Sequence, residues 1–478
     1  MYQVYDCLTD AARKWPDAIA VIDEYGEITY AELLAHTEVL AMQLKQQGCA
    51  YGLGLGIIMP NNRYFIICLF AGVACGCVVM PIDQRLSNTE IDQAIRDANL
   101  HYVLSVQQLD GDAVSFCNLI TALPTPLNVY NTARNADSLA VPFLPKAVFM
   151  RFTSGTTGAA KGVVLTHQSV MERTAAANEQ LCLGTIDRVV WVLPMAYHFI
   201  VSIVLYVRYG VGIIVNELFL ADSILQSIAR HRGTFLYAAP MHLQLLANCK
   251  TPPPLPSLRM VIATTTGISA TVCKAFQARY GLPVSQAYGI IEIGLPIINF
   301  QKSDEFPEAV GYPLPAYSVA ILGDDFQPLP PDALGKLAIK GPGMFDAYLS
   351  PPTLRADVLK NGWFLTGDLA VCKPDDLIII SGREKNMINV SGNKVFPNEV
   401  EQVVDTYPGI VTSKAYSRTH PLMGEVVALD IVVADGYVVD TEQLIHYCRQ
   451  YLTGFKLPQF VNQVEQIATT GSGKVKRH

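Results

Sequence analysis

The sequence predicts an α/β protein with a large N-terminal domain of α/β-layered subdomains plus a β-rich subdomain, followed by a small mobile α+β C-terminal domain. Apolar runs typical of buried strands alternate with amphipathic helical segments before Val310, which favours layers built on parallel sheets. After Val310 the pattern changes to short strands separated by Pro and Gly. The chain of 478 residues is half apolar, which is enough for two or more cores.

The first elements are a hairpin and a helix with a recognisable start. Residues 17–30 place two apolar runs on either side of Gly26, which predicts a β-hairpin. Thr29 and Glu32 have the spacing of a capping box, in which each residue bonds the backbone of the other. We therefore expect a helix that opens at Thr29 and ends at Gly48.

The run from Tyr64 to Ile82 contains no charged residue and has the length of a membrane span. Gly72 and Gly76 divide it into a helix-like half and a β-branched half that ends near Pro81. Two buried elements in succession give the same hydropathy as one span. We interpret the run as a buried helix followed by a buried parallel strand.

The later part of the chain predicts the domain organisation. Residues 106–145 are rich in turn formers and weakly patterned, so we interpret them as a connector. The short strands of 310–380 predict the β-rich subdomain. The boundary is expected at Arg383 to Asn386, which gives an N-terminal domain of 1–383 and a C-terminal domain of 384–478.

Charge and cysteine content narrow the class of protein. The formal net charge is −7, the pI is about 5.7 and no basic run occurs, so nucleic acid is not an expected partner. The eleven cysteines form no C-x-x-C pair and no Cys/His cluster with zinc spacing, which favours free thiols in a reducing compartment. The N-terminus lacks the apolar segment of a signal peptide. We expect a cytoplasmic protein without a transmembrane segment.

A loop rich in glycine and hydroxyl groups stands between two strand-like runs, VFMRF and GVVLT. Glycines let several backbone N–H groups point at one anion, and hydroxyls and a lysine add donors. Ala160 precedes Lys161, so the loop is not a Walker P-loop, which has glycine there. A solvated turn is the alternative interpretation. The predicted phosphate-binding residues are Thr153, Ser154, Gly155, Thr156, Thr157, Gly158 and Lys161.

Four more motifs follow the glycine loop along the chain. Together with that loop, in this order and spacing, they resemble the adenylate-forming superfamily, which includes acyl- and aryl-CoA synthetases, nonribosomal adenylation domains and luciferases. The resemblance spans nearly the whole chain. The motifs are QAYGIIE at 286–292, GWFLTGD at 362–368, GREKNMINVSGNKVFPNE at 382–399 and TGSGK at 470–474.

The resemblance implies a set of nucleotide contacts. The glycine loop holds the β- and γ-phosphates of ATP, Tyr288 and Gly289 lie against adenine, and Glu292 binds Mg²⁺, which prefers oxygen ligands. Asp368 accepts hydrogen bonds from the ribose hydroxyls, and Arg383 contacts the ribose. Without the resemblance, Tyr288 reads as a core aromatic, Asp368 as a turn residue and Arg383 as part of a surface salt bridge.

The resemblance also implies a reaction in two steps. A carboxylate attacks the α-phosphorus of MgATP, pyrophosphate leaves, and a phosphopantetheine thiol then takes the acyl group. Lys474 matches the family's catalytic lysine, whose ammonium stabilises the negative charge of the first transition state; its alternative is a disordered basic tail. Lys385 matches the hinge about which the C-terminal domain turns to bring residues 390–392 to the site. A solvated lysine is the alternative there.

The segment LPMAYHF at 193–199 is the part of the sequence that bears on the substrate acid. It matches the family's LP-x-x-H region, which lies beside the carboxylate pocket. A one-residue shift puts the histidine position at Tyr197 or His198, and we predict His198 as the site residue, with a core histidine as the alternative. No acidic residue lies between Asp187 and Glu217 to pair an ammonium, which disfavours amino acids. The apolar residues that follow favour a fatty or aryl acid.

Two positions depart from the family pattern, and the thiol acceptor is open. Ala160 replaces a proline, and Ile291 replaces a threonine that bonds the α-phosphate in the family, which indicates slower adenylation or another donor. No carrier domain follows Lys474, so the acceptor is coenzyme A or a separate carrier protein. We expect an acid–CoA ligase; the alternatives are a free-standing adenylation enzyme that loads a carrier protein and a non-catalytic nucleotide-binding relative.

Overall fold

The computed structural model describes residues 3–134, 138–152, 161–216, 218, 220–250, 252–391, 393–420, 424–468 and 475. The helices are α1 Val4–Lys14, α2 Tyr30–Gln46, α3 Arg63–Ala74, α4 Asn88–Asp97, α5 His167–Leu181, α6 Met195–His198, α7 Ile203–Arg208, α8 Ala221–His231, α9 Pro240–Ala247, α10 Ala270–Tyr280, α11 Arg355–Val358, α12 Pro397–Val404 and α13 Thr441–Cys448. The first strands are β1 Ile19–Asp23, β2 Gly26–Thr29, β3 Gly54–Ile58, β4 Val78–Ile82, β5 Tyr102–Ser105, β6 Val114–Ile120, β7 Leu127–Thr132, β8 Ala147–Phe152, β9 Gly162–Thr166, β10 Arg188–Trp191, β11 Gly212–Val215, β12 Phe235–Ala238, β13 Met260–Ala263 and β14 Ser285–Ile290. The remaining strands are β15 Gly294–Ile298, β16 Tyr312–Pro313, β17 Ser318–Leu322, β18 Leu334–Lys340, β19 Ala347–Tyr348, β20 Thr353–Leu354, β21 Phe364–Cys372, β22 Ile378–Arg383, β23 Ile388–Val390, β24 Asn393–Val395, β25 Ile410–His420, β26 Gly424–Val433 and β27 Phe460–Gln463.

The first of two nine-stranded sheets has the order β16-β15-β14-β13-β12-β10-β11-β1-β2. Its strands from β14 to β1 run parallel, whereas β2 and β15 pair antiparallel with their neighbours. Parallel neighbours need crossover connections, and helices α7 to α10 supply them between successive strands. The predicted hairpin is β1 with β2, and the Thr29–Glu32 capping box opens α2 as expected.

The second nine-stranded sheet has the order β20-β19-β9-β8-β4-β3-β5-β7-β6, with a parallel centre from β8 to β5. Helix α3 connects β3 to β4, and nearly every residue in it is buried. The uncharged run at 64–82 is therefore a buried helix and a buried strand, as predicted. Among the helices in the described part of the chain, none is both long and apolar enough to cross a membrane.

The expectation of a connector at residues 106–145 is wrong, because β6 and β7 form a hairpin there. Strand β7 pairs antiparallel with β5, and β6 is the outermost strand of the sheet. Most residues of β6 are exposed or only half-buried, so it carries no alternation of apolar and polar residues. An edge strand with little burial lacks the period-two signal by which strands are recognised.

The later part of the chain forms two smaller units. Strands β17, β18, β21 and β22 make an antiparallel four-stranded sheet, which is the predicted β-rich subdomain. Beyond a 3₁₀ turn at Glu384–Asn386, β23 to β27 and helices α12 and α13 enclose a separate apolar core. Phe396 of this unit packs on Gly382, where an added Cβ would lie 2.8 Å from the ring Cδ1.

Candidate active site

The glycine loop connects β8 to β9, which are antiparallel neighbours with Arg151 opposite Val163 and Phe152 opposite Gly162. The prediction that the loop joins two strands is therefore confirmed. Its residues Thr153, Ser154, Gly155, Thr156, Thr157 and Gly158 lie outside the described part of the chain. Lys161 is exposed at the start of β9, and its Nζ lies 4.9 Å from the centre of the Tyr348 ring. A cavity of about 220 Å³ opens beside these two side chains.

Tyr348 joins Lys161 to the predicted metal ligand. Strand β19 pairs with β9, which sets Tyr348 opposite Val163 and next to the loop lysine. The Tyr348 hydroxyl donates a hydrogen bond of 3.3 Å to Oε1 of Glu292. Burial and the Glu292 charge raise the pKa of Tyr348, so its hydroxyl stays protonated and keeps donating. The arrangement puts a cation and a carboxylate on the two sides of one tyrosine.

The carboxylate of Glu292 fits a magnesium ion that is shared with substrate phosphates. Glu292 lies in the turn between β14 and β15, at the carboxyl end of a parallel strand, and is half-buried. Among the described residues, no three His, Cys, Asp or Glu side chains are grouped to hold a metal. Mg²⁺ is commonly held by one or two carboxylates together with phosphate oxygens and water. A single carboxylate that is linked through Tyr348 to Lys161, a predicted phosphate-binding residue, matches that mode of binding.

A buried arginine that the sequence interpretation missed supports the Glu292 turn. Arg173 on α5 is fully buried, and its Nη1 donates to the carbonyl of Ile291 at 2.8 Å. Its Nε and Nη2 both donate to the carbonyl of Gly343, at 2.8 and 2.5 Å. The backbone N–H of Phe345 in turn donates to the carbonyl of Glu292 at 2.6 Å. Burial lowers the pKa of Arg173 to about 10, against the opposing effect of Tyr317, Asp346 and Glu292.

Three of the predicted nucleotide residues come together at the β-rich subdomain. Asp368 on β21 faces Arg383 on β22 in the antiparallel register, and Arg383 Nε lies 2.8 Å from Asp368 Oδ1. The hydroxyl of Tyr288 donates to the other oxygen, Oδ2, at 2.5 Å. Burial, followed by the Asp368 charge, raises the pKa of Tyr288 well above its ordinary value.

The glycines of these motifs have steric reasons. A Cβ at Gly289 would lie 2.7 Å from the carbonyl oxygen of Gly294, so the turn that carries Glu292 closes only over a bare backbone. Gly367 has φ of +75°, which lets the strand turn its Asp368 carboxylate toward Arg383. The motifs are therefore fixed by backbone shape as well as by side-chain chemistry.

The acid-binding motif is surrounded by aromatic rings. His198 ends α6 and lies edge-on to Trp191 and Tyr237, with ring centres 6.2 and 6.4 Å apart. Trp191 and Tyr237 stack on one another at 6.2 Å. Tyr197, the other candidate for the histidine position, carries the guanidinium of Arg151 at 5.1 Å from its ring centre. The surroundings of His198 are therefore aromatic, and the guanidinium of Arg151 lies over the neighbouring Tyr197.

Two predicted residues follow Arg383, in the predicted C-terminal domain. Lys385 lies exposed in the 3₁₀ turn between β22 and β23, where burial and the Arg383 charge lower its pKa. Lys474 lies outside the described residues. The roles of hinge and catalytic lysine therefore stay predictions.

Comparison with known proteins identifies the class. The family model described as AMP-binding enzyme matches residues 8–349, and the AMP-binding enzyme C-terminal domain matches 399–474. The feruloyl-CoA synthase of Amycolatopsis sp is 27% identical over 470 residues, covering 97% of this chain and 95% of that protein. The sulfoacetate–CoA ligase of Cupriavidus necator is 26% identical over 98% of this chain and 95% of its own length. Neither model covers residues 350–398, so the boundary after Arg383 stays a prediction.

Solved structures share the fold. The o-succinylbenzoate CoA synthetase of Bacillus subtilis superposes with a TM-score of 0.84 at 22% identity, covering 99% of this chain and 97% of that chain. The amide bond synthetase McbA of Marinactinospora thermotolerans gives 0.82 at 24% identity, covering 99% and 98%. Fold and site together define an adenylate-forming enzyme. The chain belongs to the AMP-binding enzyme family. It is an AMP-forming ligase of the acyl-CoA synthetase type that uses ATP with Mg²⁺.

Proposed function

We propose that the protein activates a hydrophobic carboxylic acid, fatty or aryl, as an acyl adenylate and transfers the acyl group to coenzyme A. The observation that carries the choice of acid is the aromatic wall of Trp191, Tyr237 and His198. An apolar wall gains free energy by covering an apolar tail and loses it when it covers an unpaired ammonium. The choice of coenzyme A is supported by relatives whose names identify them as CoA ligases.

We assign the binding of the nucleotide to two groups of residues, one around Asp368 and the other around Lys161 and Glu292. Asp368 and Arg383 bind the ribose, and Tyr288 with Gly289 bounds the adenine. Lys161 and the glycine loop hold the β- and γ-phosphates, where a positive charge favours departure of pyrophosphate. Mg²⁺ supplies positive charge to the phosphate oxygens when it is bound, and Glu292 is the residue that would hold it.

The chemical step then needs orientation more than covalent help from the protein. The Tyr348 hydroxyl orients the Glu292 carboxylate by a hydrogen bond. Arg173 supports the turn that carries Glu292 by a hydrogen bond to the carbonyl of Ile291. His198 lines the acid side. Lys474 supplies the mobile ammonium that stabilises charge between the carboxylate and the α-phosphate. For the second step, rotation about Lys385 withdraws Lys474 and admits the thiol.

ATP–pyrophosphate exchange with a panel of acids tests the first half of this proposal. The panel pairs 3-phenylpropionate with phenylalanine, which differ by one ammonium group, and adds medium- and long-chain fatty acids. We expect exchange with hydrophobic acids and at least tenfold less with phenylalanine than with its deaminated partner. Exchange with none of the acids contradicts the proposed activity. Mass spectrometry of the thioester formed with coenzyme A or with a phosphopantetheinylated carrier protein then decides the acceptor.

The assignment of Lys474 has its own test, in which the two half-reactions are measured separately. Lys474→Ala is expected to abolish acyl adenylate formation and to leave thioester formation from supplied acyl adenylate largely intact. Lys476→Ala, two residues further along the same tail, is the matched control and is expected to preserve both steps. Equal loss of both half-reactions in Lys474→Ala contradicts the assignment.

A further inference from the structure

Arg151 is a cation inside an otherwise apolar strand, directly before the glycine loop. Its guanidinium lies over the Tyr197 ring, and Nη1 donates a hydrogen bond to the Tyr197 carbonyl. Its Nε is buried from solvent and has no hydrogen-bond partner among the described residues. Nη1 of the guanidinium therefore bonds the backbone of the predicted acid-binding motif, and the N–H of Nε remains able to donate a hydrogen bond to a ligand.

Within the described part of the chain, no carboxylate forms an ion pair with Arg151. In the described part of the chain, Arg63 pairs with Asp23 at 2.6 Å and Arg259 with Asp187 at 2.8 Å, whereas Arg151 forms no such ion pair. Burial lowers the pKa of Arg151 to about 10, and the electrostatic effects of Tyr197 and Glu292 act in the opposite direction without cancelling it. Arg151 as a whole is half-buried, but its Nε is shielded from water and has no partner among the described residues. A shielded, unpaired charged donor is costly, which is the condition in which an anionic ligand gains most from binding.

The neighbours of Arg151 are arranged so that they do not supply that anion. Asp83 is gripped by Arg85 at 2.6 Å and interacts with the Tyr197 hydroxyl. Burial, followed by the Asp83 charge, raises the pKa of Tyr197 to about 12, so this ring remains neutral beneath Arg151. Glu292, the predicted magnesium ligand, is close enough for its charge to act on the pKa of Arg151. Arg151 therefore contacts the predicted acid-binding motif at Tyr197 and lies within electrostatic reach of the predicted metal ligand.

We propose that Arg151 binds an oxyanion of the substrates where the acid meets the nucleotide, either the carboxylate of the acid or the phosphate of the nucleotide. Both groups present oxygens to the planar fork of a guanidinium, which can engage two of them at once. This inference rests on the proposed function for the nature of the ligands. Arg151 is then a substrate-contacting residue that also holds the backbone of the acid-binding motif.

The test compares Arg151→Met and Arg151→Lys with Arg208→Met in the full chain. Arg208 is a matched control because its guanidinium also lies over a tyrosine ring, Tyr209 at 5.4 Å, and bonds Thr174 Oγ1 at 2.8 Å away from the site. Affinities for AMP and for adenosine are measured by calorimetry, and KM is measured for the panel acid that the wild type activates fastest. Circular dichroism and thermal melting establish that each variant is folded.

A charge-assisted hydrogen bond corresponds to about tenfold to a hundredfold in affinity. If the phosphate is the ligand, Arg151→Met weakens AMP by that factor and leaves adenosine unchanged. If the carboxylate is the ligand, it raises KM for the acid by that factor and leaves AMP unchanged. Either result supports the proposal and identifies the source of the oxyanion. Arg151→Lys keeps the positive charge and loses the planar guanidinium, so its loss of affinity is expected to lie between those of the wild type and Arg151→Met. It replaces Arg151→Met in the test if the methionine variant does not fold.

The proposal is overturned if Arg151→Met changes AMP affinity and acid KM by less than about twofold, a difference too small for a lost charged hydrogen bond. It is also overturned if Arg208→Met produces the same loss, because the effect would then follow from stability. Its failure is distinct from that of the proposed function. A wild type that exchanges with no acid refutes the latter, and Arg151 is then judged on AMP against adenosine.

Discussion

Replacing Arg173 by methionine tests the hydrogen bonds that support the turn carrying Glu292, without changing Glu292, the predicted metal ligand. Methionine has a comparable length and an apolar body, so it refills most of the fully buried volume without a guanidinium. The change removes the donors that reach the carbonyls of Ile291 and Gly343. Gly343 closes against this helix, because a Cβ there would lie 2.5 Å from the backbone nitrogen of Arg173. The two segments therefore have little freedom to find other partners.

The expected cost follows from the two carbonyls. Leaving a buried acceptor unsatisfied costs about 1–3 kcal/mol, so two acceptors give about 2–6 kcal/mol. Removing a buried cation returns part of this, since burial already lowers the pKa of Arg173 to about 10. We expect a net loss of about 2–4 kcal/mol in the free energy of unfolding. We also expect a higher Mg²⁺ concentration for half-maximal pyrophosphate exchange, because the Glu292 carboxylate is held less firmly.

The assay is urea unfolding followed by tryptophan fluorescence, together with Mg²⁺ titration of exchange activity. Arg259→Met is the control, because it breaks the pair with Asp187 at the amino-terminal end of the parallel strands, the opposite edge from Glu292. It should lose stability and keep the Mg²⁺ dependence of the wild type. An Arg173→Met protein with wild-type stability, or one that is destabilised with unchanged Mg²⁺ dependence, refutes the reasoning.

Three further predictions concern other groups. Tyr348→Phe removes the hydroxyl bonded to Glu292 and is expected to raise the half-maximal Mg²⁺ concentration in the exchange assay about three- to tenfold with little loss of thermal stability, whereas an unchanged titration speaks against the contact. Asp368→Asn keeps the volume and removes the charge, so calorimetry should find adenosine binding weakened about tenfold or more; equal affinity would remove Asp368 from the ribose site. Burial lowers the pKa of His242 to about 4, below its unfolded value near 6.5, so its neutral form contributes stability that is complete above pH 6.5 and declines as the pH falls toward 4. The difference in the free energy of unfolding between these two pH values, measured with urea, is at most about 3 kcal/mol. It should be absent in His242→Asn, whose side chain can still accept a hydrogen bond from the N–H of Ala239. A variant with the same pH dependence as the wild type contradicts the assignment.

Much of the fold follows from local signals in the sequence. The capping box at Thr29 sets the start of α2 by bonds within four residues, so the sequence alone predicts that start. The hairpin of β6 and β7 lacked such a signal, because β6 is an edge strand with little burial. The error thus lies where the sheet meets solvent and side-chain periodicity is no longer imposed.

The sequence proposes site residues where a motif is continuous, and it misses the residues that contact them from distant parts of the chain. Glu292 and Asp368 belong to short motifs that the resemblance covers. Tyr348 reaches Glu292 through the pairing of β19 with β9, a long-range contact that no local pattern encodes. Arg151 had a weak signal, namely a lone arginine within the apolar strand AVFMRF, whereas Arg173 follows Glu172 in a polar helix and had none. Only the surrounding structure separates a shielded guanidinium from a solvated one.

The packing of Phe396 on Gly382 affects the free energy of the domain rotation proposed to separate the two half-reactions. The ring rests on the residue just before Arg383, where even one methyl group would collide with it. Turning the C-terminal domain away as proposed uncovers this buried ring, and full burial of a phenylalanine side chain is worth about 1.5–3 kcal/mol. A difference of that size biases a two-conformation equilibrium by about tenfold to more than a hundredfold. For the proposed rotation, the burial of Phe396 would therefore set how often the domain leaves this arrangement, and a smaller apolar residue in its place is expected to shorten the dwell time there.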